Sequence, residues 1–233
     1  MLKMFDLAGA DSTRRFSPYC WRIRLALAHK GLEVETIPWR FTEKAALVPG
    51  GQSLDSGKVP VLVHDDQWVA DSWVIANYLE DTFTDRPSLF GGPAGQAMTR
   101  HYCSLGDVLI GSVAPFVVHD VFGHIDPVDQ AYFRATREKR FGKSLEEVAA
   151  GREARLPAFR DSLIAMRVTL GNQPFFGGAT PLYADYALFG AFQWARTISP
   201  LQLLAADDPI AQWRGRLLDA FDGLGRKAPG YDA

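Results

Sequence analysis

The sequence predicts an α/β domain over residues 1–83, a linker over 84–97 and an all-helical domain over 98–233. Three observations carry this. Short strand-like and helix-like segments alternate through the first third of the chain. Turn formers then crowd Asp85-Arg86-Pro87 and Gly91-Gly92-Pro93. Beyond them, helix starts and stops recur with no convincing strand.

Met4 to Leu7 reads as a short strand, followed by a loop with Gly9, Asp11 and Ser12. Ser17 suits a helix cap and Pro18 the first helical position, with Trp21, Leu25 and Ala28 as the apolar stripe. Lys30-Gly31 closes that helix with a cation and a glycine. Val34 to Ile37 reads as a second strand. An irregular crossover over 40–57 follows, broken at Pro49-Gly50-Gly51. Val59 to Val63 and Trp68 to Ala70, turning at His64 to Gln67, form a hairpin. Asp71-Ser72 opens a helix with Val74, Ile75, Tyr78 and Leu79 as its apolar face. The order βαβ-ββα is that of a thioredoxin-like unit.

In the second part, Asp126-Pro127 starts a helix that stops at Gly142. Ser144 with Glu147 is a capping box, its helix ending at Gly151. Leu156-Pro157 opens another that ends at Gly171. Asp208-Pro209 opens the last, with Trp213, Leu217 and Phe221 on one face and Gly223 beyond.

A hydrophobic fraction of 47% with 22% charged residues is enough apolar surface to disfavour disorder. A formal net charge of -2 supplies no attraction for nucleic acid or an anionic membrane. The longest uncharged apolar stretch, Val108 to Val118, is too short to span a bilayer, and the N-terminus lacks a signal-peptide pattern. Two cysteines are too few for a disulfide framework. A cytoplasmic protein without nucleic-acid or membrane partners is expected.

Ser17-Pro18-Tyr19-Cys20 sits at a helix N-terminus, where free N–H groups and the helix dipole favour an anion such as a thiolate. The first position is serine, so the natural reading is a thiol supplied by a bound ligand, with the Ser17 hydroxyl donating to its thiolate. A plain N-cap accounts for Ser17 equally well. Val59-Pro60, in this fold, suits a cis bond that leaves main chain free for a peptide-like ligand. An ordinary strand-entry proline is the alternative. Asp71-Ser72 at a helix start suits the ammonium and carboxylate of an amino-acid group, or a simple cap.

Together these sites resemble the glutathione transferase superfamily, nearest to the bacterial glutathione-dependent β-etherases that cleave lignin-type aryl ethers. The similar stretches are Ser17-Pro18-Tyr19 with Trp21-Arg22, His29-Lys30-Gly31, Lys58-Val59-Pro60-Val61, Trp68-Val69, Asp71 to Ala76 and Asp85-Arg86-Pro87. In the helical half they are Arg137 to Phe141, Gly151-Arg152-Glu153, Ala184-Asp185-Tyr186 and Phe221 to Arg226. The resemblance implies glutathione as co-substrate, no metal, and a homodimer. It implies Ser17 as the thiolate-stabilising residue, Val59 and Pro60 as the clamp on the cysteinyl part, and Asp71 and Ser72 at the γ-glutamyl end. Lys58 is implied at the glycyl carboxylate. A small apolar, aromatic electrophile is the implied second substrate, in a pocket with Tyr19, Phe116, His119, Phe122 and Tyr132 as candidate lining.

Three features depart from the etherase pattern. Cys20 stands where an apolar residue is usual. Leu182 stands where many members place a Ser or Thr cap before the Asp of the interior helix, leaving Asp185 without that partner. The chain also ends soon after Arg226. Two rival functions follow: a glutathione-dependent disulfide reductase using Cys20, and a non-catalytic ligand-binding protein of the same fold. His124-Ile125-Asp126 matches the start of an iron-oxygenase facial triad, but without strand context and with Asp126 available as a helix cap.

Overall fold

In the first strand Leu2 already pairs with His64, so pairing starts two residues earlier than the sequence suggests, and Leu2, Met4 and Phe5 to Leu7 are buried. The computed structural model describes residues 1–48 and 57–231; the break expected at Pro49-Gly50-Gly51 lies outside them. Strands β1 (Leu2–Leu7), β2 (Glu35–Trp39), β3 (Val61–His64) and β4 (Gln67–Ala70) form one sheet in the order β2-β1-β3-β4. β1 runs parallel to β2 and antiparallel to β3, and β3 pairs antiparallel with β4. With helices α1 (Pro18–His29) and α2 (Ser72–Thr82) this is the thioredoxin-like unit. Val74, read as part of the apolar face of α2, is 50% exposed; Ile75, Ala76 and Leu79 carry the packing.

The second domain is all helical. α3 (Pro93–His124) begins inside the stretch read as a linker. α4 (Pro127–Phe141) is capped by Asp126 and stopped by left-handed Gly142. α5 (Leu145–Ala149) carries the Ser144–Glu147 capping box. The helix expected over 156–171 is two, α6 (Leu156–Ser162) and α7 (Ile164–Leu170), divided at Leu163. α8 (Tyr183–Ile198) is the buried centre, and α9 (Pro209–Lys227) is interrupted at Ala220–Gly223. α3 is long and apolar enough to cross a membrane by length and composition, yet half of its apolar window is buried inside this fold.

Two glycines set close backbone approaches, one inside the helical domain and one between the domains. A Cβ at Gly106 would lie 2.5 Å from the Ala187 carbonyl oxygen, and one at Gly190 would lie 2.4 Å from that of Pro18. Without side chains there, α3 crosses α8 backbone to backbone, and the start of α1 rests directly on α8. Asp185 at the head of α8 is fully buried. It accepts hydrogen bonds from the Leu182, Phe176 and Gly177 main chain and from the Trp213 indole, at 2.8–3.0 Å. The missing hydroxyl at Leu182 is therefore offset by three donors from other segments, which tie the α8 start to α9 and to the loop before it.

Candidate active site

Between the domains, beside the start of α1, lies a cavity of about 250 Å³. The thioredoxin-like domain contributes Ser17 and Tyr19, the loop after β2 with Phe41 and Lys44, and Lys58 and Val59 before β3. The helical domain supplies Ala114, Val118 and Val121 from α3 and Trp194 from α8. α4 adds Tyr132, Phe133, Arg137, Arg140 and Phe141.

Ser17 is 4% exposed and caps α1 with extended backbone angles. Its Oγ accepts the Cys20 N–H at 3.2 Å. That bond uses a lone pair and leaves the hydroxyl hydrogen to donate. Cap and thiolate donor are thus compatible roles of one side chain, at the positive end of a 12-residue helix with no acid in its first turn. Tyr19 is half-buried. Burial, then the nearby Asp107 charge, raise its pKa, so it stays a neutral phenol.

The Val59–Pro60 peptide is cis. Val59 reaches the cavity from outside the β3 ladder, which begins at Val61. The Val61–Ala70 pair brings Pro60 and Asp71 to the same end of the hairpin. Asp71 holds φ 76°, a conformation costly for a residue with a Cβ, and its carboxylate caps α2 through the N–H groups of Trp73 and Val74. The Ser72 carbonyl accepts the Tyr183 hydroxyl at 2.7 Å, fastening the start of α2 to α8. Pro60, Asp71 and Ser72 therefore continue from the cavity along one edge without lining it.

Of the residues expected in the second-substrate pocket, Tyr19 and Tyr132 line the cavity; Phe116, His119 and Phe122 do not. The reason is helical phase. At about 100° per residue, Ala114, Val118 and Val121 share one face of α3, Phe116 points to the opposite side, and His119 and Phe122 lie on the flanks. Phe116 is buried against Phe159, with ring centroids 5.1 Å apart. His119 is exposed, and Phe122 stacks under the Arg134 guanidinium. In their place are side chains the sequence reading missed: Phe41, Phe133, Arg137, Arg140 and Trp194. The signal for three of them was present, since Phe133, Arg137 and Arg140 recur at helical spacing.

Cys20 lies one turn inside α1 and is completely buried. Burial first, and the Asp6 carboxylate second, push its pKa well above the ordinary thiol value. A thiol in that setting is not a nucleophile at neutral pH, which weighs against the reductase reading. His124 contacts the Tyr231 hydroxyl, while Asp126 caps α4 and pairs with Arg40, so the two have separate structural partners.

A family model described as the glutathione S-transferase N-terminal domain matches residues 16–82, and one for the C-terminal domain matches residues 96–221. Among curated relatives, glutathione S-transferase U28 of Arabidopsis thaliana is 27% identical over 76% of this chain and 68% of its own. Glutathione S-transferase U7 of the same plant is 29% identical over 78% and 68%. A glutathione S-transferase of Ceriporiopsis subvermispora, solved with glutathione, superposes with a TM-score of 0.82 at 22% identity, over 100% of this chain and 99% of that one. The transferase GSTFuA3 of Phanerochaete chrysosporium gives 0.74 at 26% identity, over 95% and 92%.

Proposed function

The chain belongs to the glutathione S-transferase family, and on that premise we propose that it ionises glutathione beside Ser17 and directs the thiolate onto an apolar aromatic electrophile. The observation that carries this is the Ser17 hydroxyl, oriented by the Cys20 N–H and opening on a cavity walled by aromatic side chains.

Val59 and Pro60 pair with the cysteinyl main chain, Asp71 and Ser72 take the γ-glutamyl end, and Lys58 takes the glycyl carboxylate. Ser17 donates its hydroxyl hydrogen to the sulfur anion, and the positive end of α1 adds to its stabilisation. Phe41, Tyr132 and Trp194 hold the second substrate's ring. In an etherase reaction the thiolate forms a C–S bond at the β-carbon as the C–O bond breaks, and the electron pair leaves on the phenolate oxygen. The lignin-type β-aryl ether is the finer form of this reading, supported by the motif resemblance around Ser17 and Asp71. Two buried thiols without a disulfide suit the cytoplasm.

The protein acts as a homodimer. Leu105 and Val108 of α3 are exposed apolar residues that line a groove shared with Ala165 and Met166 of α7, a surface suited to a second copy of itself.

The test is a thioether assay with glutathione against chromogenic aryl ethers and aryl halides. Turnover of ethers alone supports the etherase form. Halides alone restrict the enzyme to general conjugation. No product from either class leaves a ligand-binding protein.

A further inference from the structure

Four cationic side chains line the cavity beside Ser17. Lys44, Lys58, Arg137 and Arg140 line it, and none of its described lining residues is Asp or Glu. The two lysines stand on the thioredoxin-like side, near Val59. The two arginines come from α4 of the helical domain, where their i, i+3 spacing sets them on one side of the helix.

Arg137 is half-buried among aromatic rings. Its guanidinium carbon lies 4.6 Å from the Phe133 centroid and 5.1 Å from that of Phe41, and one N–H donates to Thr136 Oγ1 at 2.8 Å. Among the described residues no carboxylate pairs with Arg137 or with Arg140. Burial lowers the Arg137 pKa, Tyr132 opposes that, and the like charge of Arg140 adds to it. A guanidinium does not shed its proton in a protein. Among the described residues Arg137 is therefore a partly desolvated cation without a carboxylate partner, which is unfavourable until an anion arrives. The guanidinium is a planar fork packed against two rings, and such a fork matches a carboxylate.

We propose that Arg137 and Arg140 recognise a carboxylate on the second substrate, so that the enzyme prefers acidic aromatic electrophiles to neutral ones. This rests on the transferase reading of the Ser17 cavity. Glutathione also carries carboxylates, and the experiment separates the two sources.

Thioether formation is measured at pH 7 with 4-chloro-3-nitrobenzoate and 4-chloro-3-nitrobenzamide, each divided by its uncatalysed rate with glutathione. The wild type is expected to prefer the benzoate by about 10- to 100-fold in kcat/KM, the worth of charge-assisted hydrogen bonds. The preference should fall towards one in Arg137→Met/Arg140→Gln. The exposed Arg140→Gln alone, which leaves the packed Arg137 in place, should lower it in part. Equal normalised rates in the wild type overturn the proposal. So does a variant that keeps the preference but raises the glutathione KM with both electrophiles, because the arginines then serve glutathione. A second arm needs no chemistry: quenching of tryptophan fluorescence by 4-nitrobenzoate and by 4-nitrobenzamide. Tighter binding of the anion, lost in the double variant, supports the proposal even if no thioether forms and the transferase reading falls. Equal affinities overturn it on their own.

Discussion

The Asp129 carboxylate on α4 accepts the Thr42 hydroxyl at 2.7 Å and the Thr42 N–H at 3.0 Å, although the two residues stand 87 positions apart. It also accepts the Phe41 N–H at 2.9 Å, and it is wholly buried. The same loop is braced internally, with the Trp39 indole donating to the Glu43 carbonyl. This contact braces the loop whose Phe41 and Lys44 line the cavity, and it joins the two domains.

Asp129→Ala strands three donors in the domain interface. A loss of about 2–4 kcal/mol is expected, because each hydrogen bond to a charged acceptor is worth roughly 1.5–3 kcal/mol and the three do not add fully. Chemical denaturation measures it. The KM for the second substrate should rise as well, since Phe41 loses its anchor. An unchanged midpoint and KM would show that the loop is held by its own contacts.

Ser17→Ala should lower turnover by about 10- to 1,000-fold through loss of the hydrogen bond to the thiolate, with a further contribution from the uncapped α1. Glutathione affinity should change far less, and the thiol pKa of bound glutathione, read by thiolate absorbance, should rise. Turnover and thiol pKa both at wild-type values would remove Ser17 from the mechanism.

Cys20→Ala should keep thioether formation within a few-fold of wild type. Cys20 is fully buried, and Cys103, also buried, has its pKa pushed up to about 11. Neither should react with a disulfide reagent in the native protein at pH 8, and both should react after denaturation. Fast native labelling of Cys20, with activity lost in Cys20→Ala but kept in Ser17→Ala, would transfer the chemistry to the cysteine.

Light scattering after size exclusion should give twice the 25.8 kDa chain mass. Val108→Glu should yield monomer, because Val108 is 67% exposed on the proposed interface and a charge there would be desolvated on association. A wild-type mass of one chain, unchanged by glutathione, refutes the dimer.

His29 lies half-buried with Nδ1 2.6 Å from the Tyr186 hydroxyl. Burial, then the charge of Lys30, lower its pKa, and burial also lowers that of His124. Below the ordinary histidine value of about 6.5 the unfolded chain binds protons that these folded side chains refuse. Stability is therefore complete above that value and falls as the pH drops through it towards the lowered folded values. Denaturation midpoints between pH 7.5 and 5 should show the decline, and His29→Gln should flatten part of it. Parallel curves for variant and wild type would clear His29 of any role.

What the sequence determined by itself was local. Ser17, Asp71, Asp126, Ser144 and Asp208 were legible as helix caps because each side chain bonds the N–H of a residue two or three places on. The thioredoxin-like order was legible for a similar reason: strand and helix periods are written within a few residues. The composition of the cavity was not. Phe41, Ala114, Arg137 and Trp194 meet there from four segments, and only the packing of α3 on α8 decides which face of α3 looks inward. That phase turned Phe116, His119 and Phe122 away, although their types suited a ligand pocket. Asp129 shows the same division. Its position in the first turn of α4 was visible, but its three partners belong to the other domain, and only the folded chain brings them within reach.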